Sequence, residues 1–207
     1  MTAASTPDVG RVGPRLWLVR HGETEWASAG RHTSRTDVPL TATGRAEAAS
    51  LTQPLAGHRF VEVLSSPMSR ALETARLAGF GARVEVVDDL REWDYGADEG
   101  RTMEQIRADR PGWSIWRDGP RDGERLGEVA ARADRVIARA RAAAGDVLCF
   151  GHGHCLRIIG ARWLGLPADD GRLLALAPAH LSILGWEHET AVIDRWNETT
   201  RGGSGEG

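Results

Sequence analysis

The sequence predicts an α/β domain built on a mixed, mainly parallel sheet. Three observations carry the prediction. Apolar runs alternate with amphipathic segments along most of the chain. Two of those runs, Leu16-Trp17-Leu18-Val19 and Val147-Leu148-Cys149-Phe150, are each closed by a segment containing histidine, Arg20-His21-Gly22 and Gly151-His152-Gly153-His154. The last two runs are separated only by His188 and Glu189, which reads as a terminal hairpin and adds an antiparallel edge.

The elements follow in order. The run Leu16–Val19 sets a strand over 15–20, and an amphipathic stretch sets a helix over 42–56. A strand is predicted over 61–65. Pro67 then opens a helix over 67–79 in its first turn, which puts Arg70 near the positive helix end. A strand over 83–87 and a helix over 102–110 come next. The helix over 123–144 is the clearest: Val129, Ala133, Val136, Ile137 and Ala140 recur at helical spacing. Its arginines, Arg132, Arg135, Arg139 and Arg141, are expected mostly on other, solvated faces, since Glu128 and Asp134 interrupt them. A strand over 146–151, a helix over 153–165 and the hairpin strands over 180–187 and 190–196 complete the domain, 15–198. Residues 1–14, with Pro7, Gly10, Gly13 and Pro14, read as a flexible arm, and 199–207 as a Gly/Ser/Glu tail.

Composition narrows the function. The 207 residues suit one domain, and 41% hydrophobic with 27% charged residues suits an ordinary globular fold. A net charge of −3 speaks against a nucleic-acid partner, which calls for a basic excess. Local charge differs, because Arg20, Arg31, Arg35 and Arg70 fall in or near segments assigned to one pocket. Cys149 and Cys155 fit neither a zinc site nor a redox pair, so two reduced, buried thiols are expected. No apolar run approaches membrane-spanning length, and the N-terminal residues lack a signal-peptide core; the expectation is no membrane and a cytoplasmic location. The oligomeric state is left open, a homodimer included. His180 and His188 have no metal-ligand spacing with His152, so no metal is expected.

In open α/β sheets ligands bind at the carboxyl ends of the strands, so two strands ending in histidine point to one site. A histidine there can act as nucleophile or base, and a neighbouring arginine can hold a phosphate bidentately. Four segments bring suitable groups: Arg20-His21-Gly22-Glu23-Thr24, Ser65-Ser66-Pro67-Met68-Ser69-Arg70, Leu90-Arg91-Glu92-Trp93-Asp94-Tyr95-Gly96 and Gly151-His152-Gly153-His154. Gly22 is expected to let backbone approach a ligand.

Taken together, these four segments resemble the histidine phosphatase superfamily, the phosphoglycerate-mutase-like proteins, from Leu16 to about Trp196. Within it, Gly30-Arg31-His32-Thr33, Arg91–Gly96, Trp116-Arg117-Asp118-Gly119 and Gly151–His154 are most similar to the branch of sedoheptulose-bisphosphatase-like enzymes and actinobacterial acid phosphatases. The resemblance implies a three-layer α/β/α sandwich with a small helical lid, and no cofactor. It implies His21 as nucleophile, Arg20, Arg70 and His152 around the phosphate, and Glu92 as the acid that protonates the leaving alkoxide and then activates water. His21 should keep its second nitrogen donating to a carbonyl. Asp94 is the rival to Glu92. The resemblance also implies substrate-binding roles for Arg31, Thr33, Ser34, Tyr95 over the pocket mouth, Gly153, and Arg157 toward a second anionic group. His154 is placed beside the pocket, and of the eight tryptophans only Trp93 and Trp116 are placed near the ligand. The chain departs from the pattern at Ala27, where many relatives have Asn, and at Ser34, a common glycine position.

The reaction expected is hydrolysis of small phosphate esters, sugar phosphates foremost, through phosphohistidine. A phosphoglycerate mutase is the second reading. The short stretch between Gly96 and Gly123 disfavours it, since mutases tend to carry a longer insertion that seals out water. A non-catalytic phosphate sensor is the third, and it would have no use for a nucleophile and an acid together.

Overall fold

The computed structural model describes residues 13–199, so nearly all of the predicted arm and tail lies outside the described residues. Six strands form one sheet in the order β3-β2-β4-β1-β5-β6: β1 Leu16–Arg20, β2 Glu62–Ser65, β3 Val84–Val86, β4 Val147–Gly151, β5 Leu181–Glu187 and β6 Thr190–Glu198. β3, β2, β4 and β1 are parallel neighbours, whereas β5 runs antiparallel to β1 and β6 to β5. The mixed sheet is the one expected.

Alternation explains the layers. Leu16, Leu18, Val147 and Cys149 share one face, and Trp17, Val19, Leu148 and Phe150 the other. Both faces are apolar, so both must be covered. Helices α7 (Leu126–Ala142) and α8 (Gly153–Trp163) pack on the first through Val129, Val136, Ile137, Leu156 and Ile159. On the second lie α3 (Thr52–Leu55) and α4 (Ser69–Leu77), through Leu55 and Ala75, beside α2 (Ala42–Ser50). Each large apolar side chain so covered contributes about 1.5–3 kcal/mol.

Three departures have local causes. The single helix expected over 42–56 is broken at Leu51, because Pro54 has no N–H for the carbonyl four residues back. The helix expected from Pro67 starts at Ser69, with Met68 as its cap, so Arg70 is its second residue. Two four-residue helices, α1 (Glu25–Ser28) and α6 (Ile115–Asp118), were not expected, being too short to show a period. With α5 (Met103–Asp109), whose Thr102–Gln105 capping box fixes its start, α6 forms the small helical lid.

In register, Arg20 lies beside Gly151, and Ser65 beside Phe150. The carboxyl ends of β1, β4 and β2 therefore open onto one spot.

Candidate active site

The loop after β1 is pinned from below. Gly22 and Gly44 meet backbone to backbone: a Cβ on Gly22 would sit 2.3 Å from the Gly44 carbonyl oxygen. The close approach expected of Gly22 is thus to its own chain, not to a ligand. The Gly22 N–H donates to the Thr74 hydroxyl at 3.1 Å. His21 is held between these anchors with Nδ1 2.7 Å from the Gly22 carbonyl oxygen. A carbonyl can only accept, so Nδ1 carries the hydrogen and Nε2 keeps its lone pair. Burial, then Arg20 and Arg70, push the ring well below the usual histidine range, so it stays neutral.

His21 lines a cavity of about 350 Å³ together with Arg20, Arg31, Thr33, Glu92, Tyr95, Gly153, His154 and Arg157. Arg20 donates through Nη1 to the Leu176 carbonyl, while its buried Nε has no partner among the described residues. An orphaned buried donor beside a cavity is a place for an acceptor. Against these arginines the cavity sets one carboxylate, Glu92, so it favours an anion.

Glu92 is held by three backbone N–H groups. Oε1 accepts from Trp93 at 2.9 Å and from Cys155 at 2.8 Å, and Oε2 accepts from His154 at 3.0 Å. Two of these donors belong to the first turn of α8, where a helix favours negative charge. Oε2, with one bond fewer, is the oxygen free to carry a proton. Asp94 is placed elsewhere. It pairs with Arg35 and lines a separate cavity of about 860 Å³ on the other side of Glu92. Six carboxylates line it, Asp88, Glu92, Asp94, Asp122, Glu124 and Glu128, against three arginines, Arg35, Arg91 and Arg132, so that cavity does not favour an anion.

Arg70 and His152 lie one layer deeper. Neither lines the smaller cavity. Arg70 is fully buried and donates to the carbonyls of Thr33, Ser34 and Thr36, and through Nε to His152 Nδ1 at 3.3 Å. With Nδ1 accepting, His152 Nε2 carries the hydrogen and donates to Ser66 Oγ at 2.7 Å. The His152 and His21 rings are 5.1 Å apart. The polar atoms of Arg70 and His152 are thus turned inward on protein partners, directly behind His21.

The binding positions divide. Thr33, Gly153, Arg31 and Arg157 line the cavity. Arg157 lies 4.7 Å over the Trp116 ring and donates to the carbonyls of Gly171 and Arg172. Ser34 does not present its hydroxyl to the cavity: it donates to Glu99 and accepts from the Tyr95 N–H. Tyr95, expected over the mouth, is 2% exposed, with its hydroxyl on His154. Trp93 is fully buried behind Trp116, and its indole N–H donates to the Glu124 carbonyl.

Sequence reasoning missed His32, Met103, Ile115 and Leu176 as lining residues, and it misplaced Arg132. Far from a solvated face, Arg132 is 7% exposed and grips both oxygens of Glu124 and the carbonyls of Asp89 and Arg91. The signal was present: position 132 falls three after Val129 and four before Val136, inside the apolar stripe. Among the described residues no group of three or more His, Cys, Asp or Glu is arranged to hold a metal, and no helix is long and apolar enough to cross a membrane.

Comparison with known proteins agrees with this geometry. The model of the histidine phosphatase superfamily (branch 1) matches residues 16–199. An acid phosphatase of Mycobacterium tuberculosis (strain ATCC 25618 / H37Rv) is 44% identical over 179 residues, 84% of this chain and 87% of that protein. The sedoheptulose 1,7-bisphosphatase of Saccharomyces cerevisiae (strain ATCC 204508 / S288c) is 36% identical over 186 residues, 74% of this chain and 68% of that protein. The fold matches a mycobacterial glucosyl-3-phosphoglycerate phosphatase solved with VO3 at a TM-score of 0.81 and 30% identity, covering 90% of this chain and 100% of that one. A neutral histidine at the end of β1, arginines around it and a carboxylate facing it thus sit on a sheet and in a sequence shared with known phosphatases, and the chain belongs to the histidine phosphatase superfamily.

Proposed function

We propose that the protein is a phosphomonoesterase that hydrolyses small hydroxylated phosphate esters, sugar phosphates foremost, through a phosphohistidine on His21. One observation carries the proposal: Nδ1 of His21 is committed to the Gly22 carbonyl, which leaves Nε2 as a neutral nucleophile in a cavity that Arg20 and Glu92 also line. The names of the relatives, an acid phosphatase and two enzymes acting on sugar phosphates, support the substrate class.

In the first step the Nε2 lone pair attacks phosphorus. The bond from phosphorus to the ester oxygen breaks, and that oxygen takes its proton from Glu92 Oε2. Arg20 meets the phosphoryl charge in place. Arg70 and His152 join it when the anion draws their donors away from the loop carbonyls and Ser66; unliganded sites commonly hold such bonds in a looser form. In the second step the Glu92 carboxylate accepts a proton from water as its oxygen attacks phosphorus. The phosphorus–nitrogen bond breaks, and inorganic phosphate leaves with His21 restored. A phosphoglycerate mutase would instead return the phosphoryl group to a bound alcohol.

His21→Ala tests the reading. It should retain the fold and lose more than 99% of turnover, roughly the scale for removing a covalent nucleophile. Acid-quenched wild type given labelled ester should carry an acid-labile, base-stable label. Turnover above a few per cent in the variant, or label at another residue, overturns the assignment.

A further inference from the structure

The catalytic sequence makes no use of the His154 side chain, yet its ring is among the most constrained groups in the cavity. Its backbone N–H bonds Glu92 Oε2, the oxygen that would protonate the leaving group, so the side chain starts beside the place where the departing alcohol must lie. Nδ1 is 2.6 Å from the Tyr95 hydroxyl. The ring packs edge-on against Trp116 with centroids 5.1 Å apart, against Tyr95 at 5.8 Å and against Trp93 at 6.2 Å, and it lies parallel to His32 at 6.2 Å. Four neighbours thus fix its orientation.

Nε2 differs from every other polar atom of that ring and its backbone. It has no partner among the described residues, yet it is not a sealed, unsatisfied atom, and the residue lines the cavity. Burial, then Arg157, push the imidazole well below the usual histidine range, so it stays neutral. Burial, then Glu92, push the Tyr95 phenol well above its ordinary range, so it keeps its hydrogen. Whichever way the Tyr95–His154 bond is polarised, Nε2 remains a hydrogen-bonding atom. A hydroxyl group can meet either form, since it both donates and accepts. An anion can be met only when Nε2 carries the hydrogen, whereas a hydroxyl is met in either form, and an alkyl chain would leave Nε2 unpaired.

We propose that His154 is a specificity-determining residue whose Nε2 hydrogen-bonds a hydroxyl on the alcohol portion of the ester, so that the enzyme selects polyhydroxylated leaving groups. Tyr95 is its positioning residue. The inference rests on the phosphatase reading above, and it names the substrate group that the apolar walls of the cavity do not.

The test compares ribose 5-phosphate with propyl phosphate in wild type, His154→Gln and His154→Asn. A glutamine amide reaches the place of Nε2, and an asparagine amide reaches only the place of Nδ1. The ratio of kcat/KM for ribose 5-phosphate over propyl phosphate should fall about tenfold in His154→Asn, the scale of one unmade hydrogen bond to a substrate hydroxyl. In His154→Gln most of the ratio should survive. Tyr95→Phe, which releases Nδ1, should lower the ratio by a smaller factor. A ratio unchanged in His154→Asn overturns the inference, and so does an equal loss in both amides, which would assign the effect to packing. If wild type hydrolyses neither ester, the phosphatase reading falls instead.

Discussion

Arg132→Ala removes the side chain that ties α7 to the segment bearing Glu92, and the structure sets the size of the effect. Nε and Nη2 donate to the two oxygens of Glu124 at 2.8 and 2.9 Å. Nη1 donates to the carbonyls of Asp89 at 2.9 Å and Arg91 at 2.5 Å, and it lies 3.4 Å from Cys155 Sγ. The two side chains of the ion pair are 9% and 19% exposed. Removing one partner of a buried pair costs about 3–5 kcal/mol. The residual exposure of Glu124 places the loss near the lower end, about 3 kcal/mol. For a domain of this size each kcal/mol is worth roughly 2–4 °C, so the melting temperature should fall by about 6–12 °C. Arg132→Lys should recover less than half of that, because an ammonium cannot meet both carboxylate oxygens and the carbonyls as the planar fork does. Urea unfolding of the three proteins measures the loss, and thermal unfolding checks it. The carbonyl of Arg91 immediately precedes Glu92, so turnover of alkyl esters measured well below the melting range should also fall. A stability loss under about 1 kcal/mol would refute the buried-pair argument and return Arg132 to the solvated face that the charge pattern suggested.

Other outcomes follow from the same geometry. Glu92→Gln should slow alkyl esters by about 100-fold or more and the aryl ester p-nitrophenyl phosphate far less in the phosphoryl-transfer step, with a burst as phosphohistidine accumulates; equal losses without a burst would leave Glu92 only a positioning role. Gly22→Ala should cost about 1–3 kcal/mol and shift the His21 loop, because its Cβ would meet the Gly44 carbonyl oxygen at 2.3 Å; wild-type stability and kcat in the variant would contradict the close approach. The pH dependence has a definite sign. His21, His152 and His154 are all held well below the usual range by burial first and by nearby arginines and histidines second. Below about pH 6.5 the unfolded chain therefore binds protons that the folded chain does not. Stability is full above that value and is lost as pH falls through it, by roughly 1 kcal/mol per pH unit for each ring. Equal unfolding free energies at pH 7.5 and 5.5 would contradict it.

Much of this was legible in the residues, for reasons that also mark the limit. β1 and β4 could be read because both faces of the sheet are covered, so their apolar runs are unbroken, and the histidines closing them had to meet. The break at Pro54 was equally visible in principle, since a missing N–H is a local property. Arg132 was misread because an arginine in an apolar stripe looks like an exception until Glu124 and two carbonyls are seen to satisfy it. Tyr95 and Ser34 were expected to face substrate. Their partners, His154 and Glu99, are 59 and 65 residues away, beyond any local pattern. The setting of Glu92 is hidden for the same reason, because two of its three donors come from a helix more than 60 residues on.

At the start of α8 four successive residues, His152 to Cys155, supply the ring packed against His21, one wall of the cavity and two of the N–H groups that hold Glu92. A drift in this turn would disturb both halves of the reaction together, so substitution there has little room to be gradual. The stretch around Arg31–Thr33 is tied in as well, since the Thr33 carbonyl accepts from Arg70 and His32 stacks on His154, while the lid around Ser114–Trp116 touches the cavity from a separate element and meets this turn through Trp116 against His154. Substitution in the lid is therefore where the alcohol side of the cavity can change with the least disturbance to the loop of His21 and to the N–H groups that hold Glu92.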